Sequence, residues 1–149
     1  MSEQPATILV ADDEPAIRNL LEMILGAEGH TVVTVPDGKE ALAYLKDNTP
    51  DLIVLDVNMP FLSGIDVCSR IKRIKRFQHT PVVILTAMND QRTRDEAKGV
   101  KVDLFVNKPL TGKNFRKTVQ DLLEAGRARA LGLGEPKVSE SQVTDTPLE

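Results

Sequence analysis

Asp12, Asp13 and Glu14 stand side by side where the apolar run "TILVA" (7–11) ends. Acids crowded this closely repel one another, and the repulsion raises their pKa values unless a cation joins them. Other chemistry-bearing residues fall at comparable places. Asp56 closes "LIVLD" (52–56), Thr86 closes "VVILT" (82–86), and Lys108 follows "LFVN" (104–107). Taken singly, each has a plain structural explanation, because Asp commonly forms turns or caps helices and Thr often simply ends a strand. Taken together, the carboxylates of Asp12, Asp13 and Asp56 face one ammonium, that of Lys108. A hard divalent cation with oxygen ligands would relieve that excess of charge, and Mg²⁺ suits one or two carboxylates completed by water. With the cation in place, one carboxylate becomes a nucleophile toward a phosphoryl group. The cation and Lys108 would stabilise the transferring oxygens, and the Thr86 hydroxyl would donate to one of them.

The elements that must position these groups are legible from periodicity. "TVVTV" (31–35) joins the four runs above as a fifth short β-branched or aliphatic stretch. Between the runs lie helical patterns. Ile17, Leu20, Leu21, Ile24 and Leu25 make a full apolar stripe, with Pro15 suited to the first turn and Gly29 near the end. Asp37 with Glu40 resembles a capping box opening a second helix through Leu42 and Leu45, stopped before Pro50. Ser63 is placed to cap a third, with Val67, Cys68, Ile71 and Ile74 facing inward. Residues 90–99 have helical character but almost no apolar face, so that helix is expected to be held weakly. Thr111 is placed to cap the last, where Phe115, Val119, Leu122 and Leu123 repeat the stripe.

Five strands alternating with five helices predict an α/β fold, a doubly wound parallel sheet covered on both faces. In such folds, binding groups gather beyond the carboxyl ends of the strands, where strand order reverses. That rule gathers Asp12, Asp13, Asp56, Thr86 and Lys108 on one edge.

Bulk properties exclude several classes. The 149 residues are 41% hydrophobic, enough for one domain with a real core. A net charge of -3 demands neither nucleic acid nor an anionic membrane. The basic stretch "RIKRIKR" (70–76) lacks interleaved aromatics and reads as a solvated helix face. A single cysteine, Cys68, excludes an internal disulfide framework and reads as a small buried hydrophobe. His30 and His79 have no constellation around them. No apolar run spans a membrane and the N-terminus lacks a signal core, so a cytoplasmic location is expected. The expected organisation is one domain over 1–126 and a flexible tail or linker over 127–149.

At this point "VADDE" (10–14), "LIVLDVNMP" (52–60) with Gly64, "VVILTA" (82–87) and "FVNKP" (105–109) resemble, in this order, the response-regulator receiver domains of two-component signalling. The resemblance covers roughly residues 6–126 and implies the flavodoxin-like sheet order 2-1-3-4-5. It implies Asp56 as phospho-acceptor, with Mg²⁺ bound by the Asp13 and Asp56 carboxylates, the Asn58 backbone carbonyl, and Asp12 through water. Thr86 takes the place of the switch hydroxyl, Phe105 of the switch aromatic, and Lys108 of the phosphoryl-binding cation before a commonly cis bond to Pro109. The implied partners are a sensor histidine kinase or histidine phosphotransfer protein and a downstream protein target, met by the face of the fourth helix, fifth strand and fifth helix. A phosphorylation-dependent homodimer is also open. No membrane and no direct nucleic-acid contact are expected, and no enzymology beyond self-phosphorylation and slow autodephosphorylation.

The sequence departs from the family's habit in "MPFLSG", in Lys101-Val102 and in Leu110, all near surfaces that partners read. Two other functions weigh less. A phosphatase of the haloacid dehalogenase type needs a second Asp two residues after the nucleophile, where this chain has Asn58. A flavin-binding module needs a phosphate-cradling loop after the first strand, where "ADDEP" presents repelling carboxylates instead.

Overall fold

The structure, a computed structural model, describes residues 5–86, 91–108 and 112–132. The cap expected at Thr111, the bond to Pro109, Leu110, the start of the weak helix at 90 and most of the expected tail lie outside the described residues.

The chain alternates strictly. β1 (Thr7–Ala11), β2 (Thr31–Val35), β3 (Leu52–Asp56), β4 (Val82–Thr86) and β5 (Leu104–Asn107) are each followed by a helix. The helices are α1 (Pro15–Gly26), α2 (Gly38–Asp47), α3 (Gly64–Ile71), α4 (Gln91–Glu96) and α5 (Gly112–Ala130), with a short 3₁₀ turn at Lys75–Phe77. All pairings are parallel, in the order β2-β1-β3-β4-β5, as the resemblance implied.

Alternating side chains feed two apolar layers. Leu9, Ile53, Leu55, Ile84 and Phe105 point to the face covered by α2 and α3, joined by Ala97, which follows α4. Ile8, Val54, Val83, Leu85 and Val106 point to the face of α1 and α5, where Leu21, Leu25, Phe115 and Leu122 meet them. β3 and β4 are buried throughout, which is why they read as continuous apolar runs.

Local signals hold with informative exceptions. Ser63 and Asp66 form a full capping box at α3, but Asp37 makes only the forward bond, accepting from the Glu40 N–H at 2.8 Å. Ile74, expected to face inward, is 44% exposed, because α3 ends at Ile71 and the helical phase is lost. Pro15 opens α1 as expected, and Gly29, at φ 91°, turns the chain toward β2. α4 buries Thr93 alone among its own residues, consistent with its weak apolar stripe. α5 continues to Ala130, four residues past 126, held there by Arg129 donating to Asp103 at 3.2 Å. Cys68 is fully buried, and burial pushes its thiol up to about 12. No helix among the described residues is long and apolar enough to cross a membrane.

Candidate functional site

β1 and β3 are neighbours, yet the chain leaves β1 for β2 on one side and later fills β3 on the other. Their carboxyl ends therefore bound the crevice where strand order reverses. Asp12 follows β1 and Asp56 ends β3, so sheet topology alone brings them together.

Backbone bonds carry the ladder past the last strand residues and fix each functional group. The Asp12 N–H donates to Val35 O at 3.1 Å, Val57 N–H to Leu85 O at 2.9 Å, and Lys108 N–H to Thr86 O at 2.9 Å. The β1–α1 turn is pinned twice more. Glu14 N–H donates to Asp12 Oδ1 at 2.9 Å, and Arg18 Nη1 donates to Asp12 O at 2.7 Å. The loop after β3 closes through Gly64 N–H on Val57 O at 3.3 Å. A Cβ on Gly64 would lie 2.5 Å from Asp56 O, so only glycine lets α3 start this close to Asp56. Within that loop Phe61 takes φ 73°, and Leu62 N–H bonds to Pro60 O at 2.8 Å in a three-residue γ-turn that leaves the ring 76% exposed.

Ligand oxygens of Asp12, Asp13 and Asp56 lie within 4.8 Å of one another. The Lys108 ammonium stands among the acids, 3.0 Å from Asp12 Oδ2, 3.0 Å from Asp56 Oδ1 and 3.2 Å from Glu14 Oε1. Burial raises the Asp56 pKa, the bond from Lys108 opposes it, and the Asp12 and Asp13 charges add to the rise, leaving Asp56 at about 6. Burial works to lower the Lys108 pKa, but the Asp56 and Asp12 carboxylates beside it overcome this and hold it above the usual lysine range.

The cluster suits a divalent cation. Its donors are hard carboxylate oxygens, and one of them, Asp12 Oδ2, is buried with the ammonium beside it but no well-formed hydrogen bond. Asp13 is exposed and gives the cluster an open side for water.

The other expected residues fall around this cluster. Thr86 is 1% exposed, and the register Ile84↔Phe105 and Thr86↔Asn107 puts Thr86 and Phe105 on one face of the sheet, two positions apart on neighbouring strands. Phe105 is buried in the layer that contains Ala97, Val100 and Val102. Asn58 is exposed just after Val57, in a cleft it shares with Ser63, Arg92, Thr93 and Glu96. Sequence reasoning missed Glu14 as a partner of Lys108, and Arg18 as a brace for the turn. The signal for Glu14 was its place in the acid triplet. Arg18 stood out only as a base in the first turns of a helix, where the macrodipole disfavours it.

Residues 8–120 match the response regulator receiver domain family, and the chain belongs to that family. It is 38% identical over 124 residues to the transcriptional regulatory protein AfsQ1 of Streptomyces coelicolor, covering 82% of this chain and 52% of that one. Its fold matches the chemotaxis response regulator CheY4 of Vibrio cholerae with a TM-score of 0.75 and 30% identity, over 80% of this chain and 99% of that one. The receiver domain of sensor histidine kinase PA1611 from Pseudomonas aeruginosa, which holds a magnesium ion in its cleft, shares the fold at TM-score 0.75 and 23% identity, over 80% of this chain and 98% of that one. The chain spans about half the length of the curated relatives it matches. Receiver domains work with histidine kinases in two-component systems, so the chain is a phosphoacceptor signalling module rather than a conventional enzyme.

Proposed function

We propose that Asp56 is the phospho-acceptor and that Mg²⁺ is held by Asp12, Asp13, Asp56 and the Asn58 backbone carbonyl. The observation that carries this reading is the contact of Lys108 with Asp56 inside the acidic cluster. Mg²⁺ would supply charge neutralisation for the phosphoryl oxygens. Asp56 Oδ attacks the phosphorus of a phosphohistidine or small acyl phosphate, and the donor's nitrogen or oxygen leaves with the electron pair. Asp56, at about 6, is mostly ionised at neutral pH and so has a lone pair to give. Lys108 follows the phosphoryl oxygens, and the Thr86 hydroxyl donates to one of them.

Drawing Thr86 toward the phosphoryl group makes room for Phe105 on the same face, and that rearrangement is read by partners on the α4, β5 and α5 surface. Within the segment 87–100, whose residues 87–90 lie outside the described ones, the weakly packed α4 is the part of the switch expected to shift. The chain acts in the cytoplasm, taking its phosphoryl group from a sensor histidine kinase or histidine phosphotransfer protein and passing the signal through protein contacts. A phosphorylation-dependent homodimer on that surface is one such contact.

Intact-mass measurement with acetyl phosphate, with and without Mg²⁺, tests the assignment. A Mg²⁺-dependent single phosphoryl adduct absent from Asp56→Asn is expected. An adduct that survives in Asp56→Asn would move the acceptor to Asp12 or Asp13.

A further inference from the structure

We infer that Glu14 is a positioning residue that parks the Lys108 ammonium and sets how readily it reaches an incoming phosphoryl group. This rests on the role given to Lys108 above. A lysine ammonium has three donors. Here carboxylate oxygens of Asp12, Glu14 and Asp56 surround it at 3.0, 3.2 and 3.0 Å. The ammonium donates to Glu14 Oε1 and is flanked by the Asp12 and Asp56 charges, so a phosphoryl oxygen competes with these carboxylates for Lys108.

Exposure decides which one yields. The Asp12 and Asp56 side chains are 0% and 7% exposed, whereas Glu14 is 62% exposed. A buried carboxylate stripped of its cation bears the full desolvation penalty, while Glu14 is rehydrated at once. Glu14 is also fixed where it must be. Its N–H is bonded to Asp12 Oδ1, and it is the N-cap of α1 without capping through its side chain. Among the described residues, that side chain is held by Lys108 alone.

An exposed ion pair is worth up to about 1 kcal/mol, so Glu14→Gln should accelerate phosphorylation of Asp56 by acetyl phosphate about two- to fivefold. Glu22→Gln, the same charge change on an exposed position of α1, should leave the rate unchanged. In the metal-free protein, the Lys108 ammonium resonance should shift in Glu14→Gln and stay put in Glu22→Gln.

A rise that Glu22→Gln reproduces would reduce Glu14 to one more repelling charge and overturn the inference. So would an unmoved Lys108 resonance. If the wild-type chain takes no phosphoryl group at all, the assignment of Asp56 fails, and the ammonium resonance alone still tests the hold of Glu14 on Lys108.

Discussion

Two lysines serve carboxylates at opposite ends of one sheet, and they are provisioned in opposite ways. At the carboxyl edge, the single Lys108 ammonium answers Asp12, Glu14 and Asp56, with Asp13 beside them. At the amino edge, Lys72 donates to the carbonyls of Phe77 and Thr80 and lies 4.0 Å from Asp103 Oδ2. The same Asp103 carboxylate accepts from Val82 N–H at 2.7 Å and from Arg129 Nη1 at 3.2 Å. One carboxylate thus meets two cations and a backbone donor, and it links α3, β4, β5 and α5. The amino edge matches its buried acid with more than enough donors and ties its elements together. The carboxyl edge is over-supplied with negative charge and buries Asp56 within it, which costs stability until a cation arrives.

Removing a partner from the matched end should do the most damage. Asp103→Ala removes the counter-charge of Lys72 and Arg129 and leaves the Val82 N–H without its partner, and should destabilise by about 3 kcal/mol, read from urea midpoints. If the loss is under about 1 kcal/mol, the matched end adds little to the apolar packing that joins α5 to the sheet. Gly64→Ala drives a methyl against Asp56 O and should cost about 2 kcal/mol, with phosphorylation slowed because the loop after β3 is displaced.

Asp56→Asn should act in the opposite sense and stabilise the metal-free protein by about 1–2 kcal/mol at pH 7.5, because it removes a charge that burial penalises more than Lys108 offsets. Its pH dependence has a definite sign. The Asp56 pKa rises from 3.8 unfolded to about 6 folded, so the fold binds more protons in that interval. The contribution of the protonated carboxyl is fully present below pH 3.8 and is lost as the pH rises through about 6. The advantage of Asp56→Asn over wild type should therefore grow from pH 4 to pH 7 in thermal melts without metal. An advantage that is flat with pH would mean that burial does not penalise the Asp56 charge. The smallest effect belongs to Arg129→Ala, about 1 kcal/mol in the same melts, since Lys72 and Val82 still hold Asp103.

The same contrast explains what the sequence made legible. The carboxyl edge could be read residue by residue, because strand ends are visible in the apolar runs and parallel topology gathers strand ends in one place. Asp12, Asp13, Asp56, Thr86 and Lys108 each sit at such an end. The amino edge was invisible. Lys72, Asp103 and Arg129 belong to three different elements, and nothing in their local patterns signals a shared bond. Arg129 also lies past 126, where the apolar stripe fades and helix continuation depends on that remote partner. Ile74 misled for a related reason, since helical spacing persists in the sequence beyond the turn that ends α3. Glu14 was in plain view among the acids, but its partner comes from 94 residues away.

The most direct test of the over-supplied edge is the melting temperature at pH 7.5 with and without saturating Mg²⁺, for wild type and Asp56→Asn side by side. Binding to the fold alone stabilises by about 2.7 kcal/mol at one hundred times the dissociation constant. Wild type should start lower and gain strongly with Mg²⁺, and the variant should start higher and gain far less. A wild type indifferent to Mg²⁺, or a variant less stable than wild type without metal, would contradict it.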